Sequence, residues 1–415
     1  MKRLISCVLA LLYVMAGFAS GTWILHGKEY RVDTLYHAYI GPGTTQTSIK
    51  LAGPVNLRVF YTTTDLKNEN VDVRAIKHKD TLTGLGTVSN AAESHSTSNR
   101  SYFAGINADF FSSSMPCGIT VVDGEVYCSD QASGWSLFGI DANKIPYSGG
   151  GDFYVKLTAP DYSTAELSAM NLERGTNGLV LYSSRKGANT GTDSNGSEVV
   201  LIPDGEGNFL TPGATVRMRV QGNPSHAGSM PIPDDGYILS GSGTKESFVS
   251  NLSEGDVVEV RCAIRFNGFT GGKIQQALGG CPMLVSGGKV LDTENALDHL
   301  TSAQPRTAVG YNAEKNKLVM LVADGRSSIS VGPISKVLAD IMIYAGCSEA
   351  MNFDGGGSST FYVKGEGVIN QPSDGSERSV TDGLYLSTDA PQNDVTITTI
   401  RFMDYAKTLN QGDAY

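Results

Sequence analysis

Three short stretches of this 415-residue chain set carboxylates, amides and guanidinium groups beside glycines. They are Asn107-Ala108-Asp109-Phe110-Phe111, Asp324-Gly325-Arg326 and Asp354-Gly355-Gly356-Gly357-Ser358-Ser359. The last is the richest in chemistry. Three consecutive glycines admit close approach to the backbone and leave N–H groups free to converge on an anion, with Ser358 and Ser359 as hydroxyl donors. A tight turn carrying a solvated aspartate would use the same residues. Arg306, Arg326 and Arg378 each stand at a turn or strand end, in Gln304-Pro305-Arg306-Thr307, Asp324-Gly325-Arg326 and Ser376-Glu377-Arg378. Their planar forked donors suit phosphate, although one such arginine alone is ordinarily a surface ion pair. Only convergence of the three would make a site.

Other chemistries find less support. The histidines, at 26, 37, 78, 95, 226 and 299, are scattered with no His-Glu-x-x-His spacing, so a zinc hydrolase is not expected. No Gly-x-Ser-x-Gly elbow occurs, and the glycine run lacks the lysine of a P-loop. No EF-hand spacing is present, and neither a metal nor a cofactor is assigned, with calcium held by surface carboxylates left open.

The residues that position these groups belong to a secreted, β-rich kind of chain. With 42 acidic against 32 basic residues the formal charge is −10, which argues against nucleic acid as a partner. The 49 glycines, with only 18% charged and 40% apolar residues, favour short strands joined by tight turns around a sizeable core. Lys2 and Arg3 precede an apolar run from Leu4 to Phe18, followed by Ala19, Ser20 and Gly21. This pattern reads as a cleaved signal over 1–20 and predicts a secreted or periplasmic protein. The run falls short of the roughly 20 residues a membrane span needs, so no membrane span is expected. Removal of Cys7 leaves an odd number of cysteines. Cys117 and Cys128 flank a hairpin pattern whose Asp123-Gly124 suits a type I′ turn, and a disulfide between them would require a bulge. Cys262, Cys281 and Cys347 sit in apolar contexts that predict buried thiols.

Along the chain, Val55–Tyr61 and Val71–Ile76 alternate as strands, Thr87–Ser94 reads as a short helix, and Phe103–Ile106 as a buried strand. Residues 141–236 are richer in Gly, Pro, Ser and Asn and predict an inserted lobe, with a long surface loop over Ser183–Ser197. Strands are expected at Gly236–Leu239 and Val257–Ile264, with a helix at Lys245–Leu252 between them. The clearest helix pattern places Ile334, Val337, Leu338, Ile341, Met342 and Ala345 on one face, with Pro333 at its first position and Gly346 at its cap.

Gly-Ile-Asn-x-x-Phe-Phe at 105–111, Pro-Arg-Thr-Ala-Val-Gly at 305–310, Asp-Gly-Arg at 324–326, Asn-Phe-Asp-Gly-Gly-Gly-Ser-Ser at 352–359, and Pro-Ser-Asp at 372–374 with Arg378 follow one another in an order that resembles the phosphodiester glycosidase domain. The resemblance spans roughly residues 80–390 and takes in the animal enzyme that uncovers mannose 6-phosphate. It implies hydrolysis of the glycosidic C1–O bond of a sugar-1-phosphodiester, releasing free sugar and a phosphomonoester. In that role Asp354 would act as base or nucleophile, with Asp324 as second carboxylate, orienting Arg326 or sharing the acid/base role. Arg306, Arg326, Arg378 and the Gly355, Gly356, Gly357, Ser358, Ser359 backbone would hold phosphate, with Thr307 and Asp374 beside them, while Asn107 and Asn352 would bond sugar hydroxyls. One departure is Ala108-Asp109, where such proteins commonly carry small residues; Asp109 reads as an extra acid, a metal ligand or a cap of its loop.

The partner is thus a sugar phosphodiester or a cell-surface glycan. A phosphodiesterase breaking P–O and a non-catalytic glycan-binding surface protein are the competing readings. The expected architecture is α+β and predominantly β, a mixed sheet with a few packed helices. It divides as a signal over 1–20, a strand-rich segment over 21–80, a glycosidase-like domain over 81–390 with its insertion, and a C-terminal strand and tail over 391–415. An edge strand is expected at Asp394–Phe402.

Overall fold

The computed structural model describes residues 21–130, 132, 134–205, 210–266, 269, 271–293 and 301–390. The signal expected over 1–20, the strand expected at Asp394–Phe402 and the rest of the tail lie outside the described residues. The architecture is α+β and predominantly β.

Two sheets carry the regions singled out by the sequence. A nine-stranded sheet begins with four N-terminal strands between Gly21 and Asp65, then continues through Lys317–Ala323, Arg306–Tyr311, Glu349–Asn352, Met283–Ser286 and Lys289–Val290. Asn56–Asp65 pairs along its length with Lys317–Ala323. The strand-rich segment expected over 21–80 is therefore built into the scaffold that carries Asp324. A five-stranded sheet orders Gly367–Val368, Phe361–Val363, Ser101–Asn107, Asp382–Thr388 and Asp72–Lys77. The two share a core in which Met320, Val322 and Phe353 meet Ile106, Phe361 and Leu384.

The strand Lys317–Ala323 shows why the site-bearing sheet reads as an unbroken apolar run. Leu318, Met320 and Val322 face that shared core, while Val319, Leu321 and Ala323 face the helix Ser335–Tyr344. A strand covered on both faces has no solvated side on which to place polar residues. The helix itself buries Val337, Leu338, Ile341 and Met342. Its N-cap is Ile334 in an extended conformation, so Pro333 precedes the helix instead of opening its first turn. Gly346, with φ of +99°, follows the C-cap as expected.

The second half is an eight-stranded sheet running from Gly151 to Phe266. It is more regular than its turn-rich composition led one to expect, and longer. Tyr237–Ser242 and Val257–Phe266 are inner strands of the same sheet, so the lobe extends beyond 236. Of the Ser183–Ser197 loop, Ser184–Lys186 forms a 3-10 turn and the final residues enter the strand Gly196–Pro203. One parallel pair, Ala169–Met170 beside Leu179–Ser183, makes this sheet mixed.

A small sheet with Ser136–Asp141 and Ile274–Gly280 at its centre joins the two halves. Its hairpin Thr120–Val122/Glu125–Cys128 turns at Asp123 and Gly124, both with positive φ, as a type I′ turn requires. The bulge between Val126 and Cys128 sets Cys128 opposite Thr120, while Cys117 stands three residues earlier on a bend. No bridge forms, and the five described cysteines are free thiols. Cys262, Cys281 and Cys347 are buried, as their contexts predicted. Among the described residues no helix is long and apolar enough to cross a membrane.

Candidate active site

Antiparallel pairing gathers distant segments at one sheet edge. Arg306 opens its strand opposite Ala323, after which Asp324 follows, and Asn352 closes the neighbouring strand opposite Ala308. In the five-stranded sheet, Asn107 closes a strand opposite Gly383, one residue after Asp382. The chain from Phe353 to Thr360 crosses between the sheets at this edge, entering the second one at Phe361. Asn107 fastens the crossing: its Nδ2 donates to the Asp354 carbonyl at 2.7 Å, and its Oδ1 accepts from Thr307 Oγ1 at 2.7 Å and the Thr360 N–H at 3.1 Å. The Asp354 N–H donates to the Ala108 carbonyl at 2.8 Å.

The three glycines lie against the three arginines. A Cβ on Gly355 would stand 2.7 Å from the Pro305 carbonyl and 3.8 Å from Arg306 Cδ; on Gly356, 2.9 Å from Arg326 Nη2; on Gly357, within contact of Arg378 and Asp374. Gly356 also has φ of +61°. Side chains at Gly356 and Gly357 would displace the Arg326 and Arg378 guanidinium groups, and one at Gly355 would strike the Pro305 carbonyl, which is the physical reason for the run. Arg326 is itself left-handed at φ +59°, a costly conformation for a non-glycine residue. Gly325 beside it packs so closely that a Cβ would lie 2.4 Å from the Pro305 nitrogen.

The arginines differ in what holds them. Arg378 pairs with Asp374, with Nη2 2.6 Å from Oδ2, and donates to Ser358 Oγ at 3.4 Å. Arg326 Nε donates to Gln304 Oε1 at 2.6 Å and Nη1 to Ser373 Oγ at 3.4 Å. Asp324, expected to orient it, does not make that contact. Arg306 is buried, donates to the Ser302 carbonyl, and leaves Nε without a partner. Burial, with the like charge of Arg326 acting in the same sense, lowers its pKa to about 10, against the opposing pull of Asp354.

Asp354 sits half-buried among these cations. Burial raises its pKa to about 6, against the Ser358 bond, the Arg378 charge and the Gly355 N–H, while the charge of Asp382 raises it further. A carboxyl in that range can exchange a proton near neutral pH.

The remaining residues take other places. Asp324 is buried behind the loop, its Oδ1 accepting from the Gln371 N–H at 2.8 Å and Asn370 Nδ2 at 3.4 Å, with Oδ2 unpartnered. Burial raises its pKa against those bonds and the Arg58 charge. Asn352 commits Nδ2 to the Cys281 and Phe353 carbonyls at 2.8 and 2.6 Å, leaving Oδ1 buried without a partner. Asn107 and Asn352 thus hold backbone in this structure. Asp109 is buried and caps its loop, Oδ2 accepting from the Gly118 N–H at 2.7 Å. Ser359 Oγ and Thr360 Oγ1 are also buried and unpartnered. Such orphaned polar atoms are costly, and here they crowd one edge. Among the described residues no group of three or more His, Cys, Asp or Glu is placed to hold a metal.

Two residues escaped the sequence reading, Asp382 and Lys77. Asp382 opens the strand Asp382–Thr388 and Lys77 closes Asp72–Lys77, and neither belongs to one of the motifs that carry the resemblance. In an antiparallel sheet the start of one strand lies beside the end of its neighbour, so both positions are equally good places for a site.

Residues 212–387 match the phosphodiester glycosidase family. The resemblance carried by the motifs is thereby shown, and the phosphodiester glycosidase stretch includes all three arginines with Asp324 and Asp354, though not Asn107 or Asp109. Over 88 residues the chain is 40% identical to the SPbeta prophage-derived uncharacterized protein YomE of Bacillus subtilis, a match covering 21% of this chain and 13% of that protein. The fold is similar to that of a putative exported protein from Burkholderia pseudomallei, with a TM-score of 0.64 at 18% identity, covering 88% of this chain and 98% of the other. A hypothetical protein from Synechocystis superposes with a TM-score of 0.63 at 16% identity, covering 83% of this chain and 62% of its own. The zebrafish N-acetylglucosamine-1-phosphodiester alpha-N-acetylglucosaminidase catalytic domain gives a TM-score of 0.44 at 12% identity, covering 90% and 89%.

Proposed function

We propose that this protein is a secreted or periplasmic hydrolase that cleaves the glycosidic C1–O bond of a sugar-1-phosphodiester, releasing free sugar and a phosphomonoester. The observation that carries this reading is the fit of Gly355, Gly356 and Gly357 to the side chains of Arg306, Arg326 and Arg378 beside the half-buried Asp354. The family match over 212–387 supports it.

The reaction asks little acid help of the protein, because a phosphate leaves as a weak base. The main demands are neutralising phosphate charge and stabilising an oxocarbenium-like C1. Arg306 and Arg326 answer the first demand: neither pairs with a carboxylate in the contacts above, and each donor to developing charge is worth on the order of 3 kcal/mol of barrier. Arg378, already paired with Asp374, fixes the Ser358 side of the loop. Asp354 answers the second demand, as base toward water or as nucleophile, and its pKa of about 6 leaves it ionised at neutral pH.

Incubation with a panel of sugar-1-phosphodiesters in water enriched in heavy oxygen tests the reading. Reducing sugar should appear with the label at C1. Label in the phosphate would make the protein a phosphodiesterase, and binding without product would make it a glycan-binding protein.

A further inference from the structure

Behind Asp354, two ionisable groups stand at neighbouring strand ends of the five-stranded sheet. Lys77 and Asp382 face each other in register, and the residue after Asp382 faces Asn107. Both charged side chains are buried, at 1% and 0% exposure. Lys77 Nζ donates to the Thr381 and Gly84 carbonyls at 3.1 and 3.2 Å. Asp382 receives the Thr381 hydroxyl on Oδ2 and the Asp109 N–H on Oδ1, both at 2.9 Å, and its carbonyl receives the Ala108 N–H at 3.3 Å. Ala108 in turn accepts the Asp354 N–H at 2.8 Å. One residue thus grips two successive N–H groups of the turn from which Asp354 hangs.

We infer that Asp382, backed by Lys77, is a positioning residue that holds the Asn107–Asp109 turn against Asp354 and acts on the Asp354 carboxyl through its charge. The inference rests on the proposed role of Asp354. Two buried charges at this place are costly unless they neutralise each other, and a pair kept solely for packing could be apolar. Asp382 offers both a carboxylate for the turn and a negative charge behind the reacting group, beside the buried carboxyl of Asp109, whose pKa burial and the Asp382 charge raise. The groups bearing on Asp354 are Arg378 and Ser358 from the glycine side, Arg306 from the neighbouring strand, and Asp382 from the second sheet, with Cys117 feeling both Asp354 and Asp109. Asp382 is the one that disfavours its ionisation.

Asp382→Asn keeps the shape and the acceptor for the Asp109 N–H while removing the charge. The acidic limb of kcat/KM should move to lower pH by about half a unit or more, since a like charge has been withdrawn. A purely structural role would change the melting temperature and leave that limb in place. Because Asp382→Asn strands the Lys77 charge, Lys77→Met combined with Asp382→Asn is measured beside it, with the same direction expected. Carboxyl-carbon NMR titration of Asp354 in each folded variant reads the shift without turnover. It therefore separates failure of this inference from failure of the proposed activity. An Asp354 titration and acidic limb unmoved in both variants would overturn the proposal.

Discussion

The alternating strands of the eight-stranded lobe and the sandwiched pair of sheets solve burial in opposite ways. In the lobe, Val257–Phe266 and Thr215–Ser225 alternate strictly between buried and partly or fully exposed positions over most of their length, because one face of the sheet is solvated there, whereas Leu179–Ser183 and Tyr237–Ser242 farther along the same sheet are buried throughout. In the sandwich, Arg306–Tyr311 and Ser101–Asn107 are buried at every position. A strand covered on both faces places polar chemistry at its ends, and the ends of six such segments supply Lys77, Asn107, Arg306, Asp324, Asn352 and Asp382. The lobe spreads polar residues along the exposed face of these two strands and elsewhere buries Glu198 beside Thr190 and Thr192. In the sandwich, double coverage sends polar groups to the strand ends, and the pairing of those ends gathers the site.

Several substitutions would break or sharpen that contrast. Asp354→Asn is expected to lower turnover by about a thousandfold or more, in keeping with loss of a proton-transferring or nucleophilic carboxyl. Circular dichroism should show an intact fold, and near-normal kinetics would remove Asp354 from the reaction. Leu239→Ala, in the fully buried centre of the lobe, should cost about 2–5 kcal/mol in urea unfolding while kcat/KM at the sandwich edge stays within a factor of two or so. A matching loss of activity would mean the two regions are not separable.

The pH dependence of stability comes next in size. Asp354 has its folded-state pKa raised to about 6, above the unfolded value near 3.8, so the stability tied to its protonated form is present below pH 4 and lost as pH rises through 6. Asp354→Asn should therefore remove a decline on the order of 2 kcal/mol between pH 4 and pH 7, read by unfolding titrations at several pH values. An unchanged slope would contradict the burial of that carboxyl. The smallest effect is expected for Gly356→Ala, which combines a left-handed backbone with a Cβ against Arg326 and should lower kcat/KM about tenfold through KM. An effect on kcat alone would place Arg326 at the reacting centre and not at bound phosphate.

Local pattern already determined much. The alternation of Val55–Tyr61, the apolar face and Gly346 cap of the helix, the Asp123-Gly124 turn and the buried thiols all depend on neighbours within a few residues. The same holds for the motifs that matched the family. Tertiary structure decided the rest. Whether three ordinary arginines converge depends on strand register and on how the chain from Phe353 to Thr360 crosses between the two sheets. Whether Asp109 caps a loop, and whether Asp382 stands beside Asn107 at all, depends on which strand starts lie against which strand ends. Hydrogen-bond pairing across a sheet carries no signature in the local sequence of either partner, so the site's residue types could be read from the chain while their meeting place could not.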